Sequence, residues 1–172
     1  YLFYVDNHGG TPVKVPTGPD FDIAVDAVAN AVTARTKVVI VNSPNNPTGV
    51  VYPDATLARL GEMLRAKAAE FQTTIYVVSD EPYRKIVYGG GRCPSPIGHY
   101  ENTVLVMSHS KDLGLAGERI GYVAIHPRAA DAERLFAAMA FTVRTLGFFN
   151  APARMQRVVE GLQDVVVDLG TY

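Results

Sequence analysis

Residues 103–121 read TVLVMSHSKDLGLAGERIG. A short apolar, β-branched run from Thr103 to Met107 breaks off at two hydroxyls and an amine, Ser108, Ser110 and Lys111, and Arg119 follows eight positions later. Such a run is the mark of a strand covered on both faces. Its polar tail falls where that strand leaves the sheet. Two other stretches have the same form. Lys37–Val41 (KVVIV) runs through Asn42 into SPNNPTG at 43–49, and Ile75–Ser79 (IYVVS) runs into DEPY at 80–83. A fourth run, Gly121–Ile125 (GYVAI), begins at the last residue of the quoted segment.

Helical periodicity fills the gaps between these runs. The spacing predicts a helix over 22–34, with Asp22 as a cap and Ile23, Ala27, Val28 and Val32 apolar. A second is expected from Asp54 to Phe71, with Leu57, Leu60, Leu64, Ala68 and Phe71 on one stripe. Two more are expected, from Arg128 to Thr145 and from Asn150-Ala151-Pro152 toward Leu169. Residues 13–16 (VKVP) look like a short strand, Asp80–Tyr83 like a turn or short helix, and 88–98 like a loop. Tyr1 opens in strand-like sequence without an initiator Met. Strands alternating with helices predict an α/β fold, a mostly parallel sheet flanked by helices.

Composition narrows the function classes. The chain has 172 residues, 48% apolar and 19% charged, with a net charge of -1 and no basic run, which argues against a nucleic-acid partner. No apolar stretch approaches the ~18 residues that span a bilayer, so no membrane segment is expected. The first ten residues lack the basic start and cleavage site of a signal peptide. A single cysteine, Cys93, fits a reducing compartment, and a cytoplasmic protein is expected.

In open α/β sheets ligands sit outside the carboxyl ends of the strands, where the three polar tails fall. A lysine amine drawn partly out of water can attack a carbonyl, which is one use for Lys111; a solvated lysine beside a turn is the other. Ser108, Ser110 and Arg119 suit a phosphate clamp or a loop that caps the next helix. Asp80 suits a protonated ring nitrogen or a helix cap before Pro82. Tyr83, three residues on, suits the same ligand or the core. Asn46 can donate to a phenolate oxygen or shape a pair of turns.

Together, SPNNPTG, SDEPY and SHSKDLGLAGERIGY resemble the signature of the fold type I pyridoxal-phosphate (PLP) aminotransferases, the aspartate aminotransferase superfamily. The resemblance implies that Lys111 carries pyridoxal 5'-phosphate as an internal aldimine and acts as the general base. It implies that Asp80 pairs with the pyridine N–H, that Tyr83 and Asn46 bond the phenolic oxygen, and that Ser108, Ser110 and Arg119 bind the phosphate. The substrates would be an amino acid and a 2-oxo acid, and the intact protein a homodimer. In such folds the Asn46–Pro47 bond is commonly cis.

The family's chains are roughly twice to two and a half times as long. Residues 1–172 are therefore expected to be the central part of the PLP-binding large domain. The N-terminal part and the C-terminal small domain would lie outside, and the fragment alone would not transaminate efficiently. Arg144 is a weak fit to the pattern for reading acidic substrates. A PLP-dependent β-lyase would share the same cofactor residues, and so would an aminotransferase-like sensing domain of a regulator, though no helix-turn-helix is evident. Ser108-His109-Ser110-Lys111 also matches the S-x-x-K of serine β-lactamases, whose S-D-N and K-T-G partners are missing. Gly89–Gly91 lacks the GK[ST] of a phosphate loop.

Overall fold

The computed structural model describes residues 1–166 together with Asp168 and Gly170. Four strands form one sheet in the order β1 (Val38–Asn42), β2 (Tyr76–Asp80), β3 (Thr103–Ser108) and β4 (Gly121–Ile125). The first three run parallel, and β4 returns antiparallel to β3. The mostly parallel α/β sheet expected from the apolar runs is therefore present. The described helices are α1 (Leu2–Asn7), α2 (Val25–Ala31), α3 (Asp54–Phe71), α4 (His109–Asp112), α5 (Ala132–Thr145) and α6 (Ala153–Gly161).

The core lies where α2 and α3 meet one face of the sheet. Leu57, Leu60 and Leu64 of α3 pack with Val25 and Val32, with Val41 and Val77 of the strands, and with Ile75 and Tyr100. Leucines at i, i+3 and i+7 share one helix face, so the periodicity that predicted α3 also built this contact. Gly61 sits inside that stripe because a Cβ there would come within 2.6 Å of the His99 carbonyl oxygen.

Several local expectations are corrected. Residues 13–16 form no strand: Pro12 and Pro16 bracket them and remove donors, and Val13 is exposed. The aromatic opening forms helix α1, closed by Val5 N–H donating to the Tyr1 carbonyl at 3.0 Å. Helix α2 is shorter than 22–34. Asp22 does not cap it, and its carboxylate accepts instead from Thr56 Oγ1 at 2.6 Å, pinning the first turn of α3. Helix α5 begins at Ala132, after Asp131 takes a left-handed φ of 53°. The last helix ends at Gly161; Leu169 lies outside the described residues. Nor is β1 covered on both faces, since Val38 and Ile40 are exposed.

Candidate functional site

The sheet register brings the three polar tails to one edge. Asn42 pairs with Asp80, and Asp80 with Val106, two residues short of Ser108. Asn42 then ties the edge together. Its Nδ2 donates to the Asp80 carbonyl at 2.9 Å, and its Oδ1 accepts from Asn46 N–H at 2.9 Å. The loop between is shaped by two cis peptide bonds, Ser43–Pro44 and Asn46–Pro47; sequence reasoning anticipated the second.

Around that edge the side chains fall into linked groups. Asn46 Nδ2 donates to the Tyr83 hydroxyl at 3.3 Å. Lys111 Nζ lies over the Tyr83 ring, 5.9 Å from its centroid. Ser108 ends β3 and caps α4, accepting from Ser110 N–H at 3.2 Å, while its hydroxyl donates to Ser110 Oγ at 2.7 Å. Asp80 Oδ2 accepts a hydrogen bond from the Tyr1 hydroxyl. Burial, and then that contact with the carboxylate, push the Tyr1 phenol well above its ordinary range.

Arg119 is less closely joined. It is exposed, takes a left-handed φ of 52°, and its Nη1 donates to the Ala116 carbonyl at 2.8 Å. Two residues later Gly121 lies opposite Ser108. A Cβ at Gly121 would stand 2.2 Å from the Met107 carbonyl oxygen, so only glycine lets β4 approach β3 here. Arg144 lies on α5, in an open groove with Phe136, Met139 and Phe149.

Sequence reasoning missed four participants. Tyr1 was passed over as strand. Asn42 was read only as the end of β1. Glu81, fully buried, accepts from Ser79 Oγ at 2.7 Å, from Ser95 Oγ, and from Arg84 Nη1 at 2.5 Å. Strand alternation was the available signal: Asp80 and Glu81 must face opposite ways. The fourth is the pair His109–Asp112 on α4, both buried.

With this geometry in place, comparison with known proteins is decisive. The profile of the family "Aminotransferase class I and II" matches residues 1–163. The chain belongs to the class I and II aminotransferases. Within that family it is 43% identical over 123 residues to a probable aspartate/prephenate aminotransferase of Thermus aquaticus, covering 70% of this chain and 30% of that one. It is 39% identical over 138 residues to the aspartate aminotransferase of Bacillus subtilis, covering 76% of this chain and 32% of the other. A crystal structure of an aminotransferase from Eubacterium rectale superposes with a TM-score of 0.95 at 39% identity, over 100% of this chain and 44% of its own. The chain thus spans about a third of the length of the curated relatives it matches. The serine of S-x-x-K does open a short helix, but family membership removes the β-lactamase alternative.

The donor set can be tested against a phosphorylated pyridine aldehyde. Among the described residues, Asp80 Oδ1 accepts no hydrogen bond and remains available to a ring N–H at the sheet edge. An amide and a phenol stand 3.3 Å apart beside the amine, and two hydroxyls pair beyond it. The residues fit such a group: Arg119 gives Nη1 to the Ala116 carbonyl and carries further guanidinium N–H donors that suit a phosphate.

Proposed function

We propose that this chain is the central part of the large domain of a pyridoxal-phosphate-dependent aminotransferase, which moves an amino group between an amino acid and a 2-oxo acid. The supporting observation is the alignment of three parallel strand ends, Asn42 beside Asp80 and Asp80 beside Val106, with Lys111 on the one-turn helix that follows.

When bound, the cofactor supplies an aldehyde and a ring that accepts electrons. Lys111 would be the residue that holds the cofactor through its amine, and the same amine would serve as the general base that moves the substrate Cα proton. Asp80 keeps a proton on the ring nitrogen, and Tyr1, bonded to its Oδ2, fixes the carboxylate. Asn46 and Tyr83 donate to the phenolic oxygen and stabilise its charge. Ser108, Ser110 and Arg119 bind the phosphate, through two hydroxyls and a fork of N–H groups. The aspartate aminotransferases among the relatives support an amino acid and a 2-oxo acid as substrates. The intact protein would be a cytoplasmic homodimer. Among the described residues no helix is long and apolar enough to cross a membrane.

The test is an absorbance spectrum of the full-length protein with pyridoxal phosphate, followed by borohydride reduction and peptide mapping. The expected result is a near-visible band that reduction fixes to the peptide bearing Lys111, absent in Lys111→Ala. Labelling of Lys111→Ala at the wild-type level would overturn the proposal.

A further inference from the structure

The helix that carries Lys111 also carries two buried titratable side chains that the proposed reaction does not use. His109 is 4% exposed and Asp112 3%. His109 Nδ1 stands 3.2 Å from each carboxylate oxygen of Asp112, and its ring lies 5.8 Å from that of Tyr122 on β4. Lys85, just past Tyr83 in the turn after β2, brings Nζ to 3.8 Å from Asp112 Oδ2. A buried carboxylate is costly unless paired, and here its partners come from two elements.

The location gives the cluster a purpose. Helix α4 has only four residues, and one turn does not hold itself together. The His109–Asp112 contact closes that turn at i, i+3 spacing. The Lys85 contact ties it to the segment bearing Tyr83, whose ring faces Lys111 Nζ. We propose that His109, Asp112 and Lys85 form a clamp of positioning residues that holds Lys111 Nζ in register with Tyr83. The inference rests on the role given to Lys111 above.

The clamp predicts a split between two measurements on the full-length protein. One is the rate at which pyridoxal phosphate is trapped on Lys111 by borohydride, which needs the amine correctly placed. The other is the affinity for pyridoxine 5'-phosphate, which lacks the aldehyde and needs only the pocket. Asp112→Asn and Lys85→Met are expected to slow trapping by about tenfold or more, because small misplacements of a reacting group carry large rate penalties. Pyridoxine phosphate affinity is expected to fall by clearly less than the trapping rate, since of the phosphate-binding side chains named above only Ser110 lies on α4. His109→Gln, which keeps an N–H donor, should retain more of the trapping rate than His109→Phe. Lys85→Met guards against a simple folding failure, because Lys85 lies outside the buried pair. Unchanged trapping, equal losses in both measurements, or no difference between the two His109 variants would overturn the clamp. Label persisting in Lys111→Ala would instead overturn the role of Lys111 itself.

Discussion

The two faces of the sheet are built differently. On one, α3 lays Leu57, Leu60 and Leu64 against Val41 and Val77, and Leu64 is 0% exposed. On the other, Val38 and Ile40 of β1 are exposed, as is Val123 of β4, which the register puts on the same face, and α5 buries none of its residues. Phe136 of α5 is 70% exposed. Both faces are apolar in sequence, so an apolar pattern states a demand for burial without saying that this stretch of chain meets it. The bare face supports the proposed place of the chain within a larger domain. It is also compatible with a TM-score of 0.95 against a structure of which the chain spans 44%.

The largest expected effect tests that contrast directly. In the intact protein, Leu64→Ala should cost about 3–4 kcal/mol of unfolding free energy, the transfer and cavity terms of a buried leucine. If these 172 residues were the whole folded unit, Phe136→Ala would change stability by no more than about 0.5 kcal/mol, as for any surface position. Denaturant melts of both variants decide it. A Phe136→Ala loss approaching that of Leu64→Ala would show that further chain covers α5 in the intact molecule. Near-neutrality would show that the bare face is a true surface.

A smaller effect is expected at the junction of the two faces. Glu81 follows Asp80 across the pleat, so one carboxylate turns outward to the candidate site and the next turns into the protein. Glu81→Ala should cost about 2–3 kcal/mol, mainly because the Ser79 and Ser95 hydroxyls lose a buried acceptor. The Arg84 partner adds little, since its side chain is 40% exposed. A melt within error of wild type would mean that Glu81 is not part of the support for the Asp80–Tyr83 turn.

These comparisons explain how much the sequence revealed. Strands β1 to β4 and helix α3 were legible because period and length agree there, and α3 spans the predicted Asp54–Phe71. That Asn46, Asp80, Tyr83, Ser108, Ser110 and Lys111 fall at one sheet edge was legible because each follows the end of a predicted strand. Three things were not legible. Helix α1 was hidden because aromatic residues favour strands in isolation, whereas here the segment closes a helical turn with none of its residues buried. The direction of β4 was hidden because GYVAI reads the same parallel or antiparallel. The clamp at His109 and Asp112 was hidden because i, i+3 pairs show only once a helix is known to exist, and four residues carry no period.

The smallest effect lies at the rim of the well-packed face, and its sign is fixed by linkage. Arg65 of α3 donates from Nε to Glu101 at 2.9 Å, and this hydrogen bond is the main reason the Glu101 carboxyl titrates below the usual glutamate range. A carboxyl depressed in the folded state stabilises the fold above its unfolded value, about 4.3, and that stability is lost as the pH falls through the folded value. Glu101→Gln should therefore cost something at pH 7 and nothing near pH 2–3, where wild type and variant melts converge. Both partners are at least a third exposed, so the pH 7 difference should stay under about 1 kcal/mol and shrink further in 1 M salt. A difference that grew on acidification would reverse the linkage and show that Glu101 is held in its protonated form. A difference of several kcal/mol would show that the intact protein buries this rim, extending to the α3 side the question that Phe136 asks of α5.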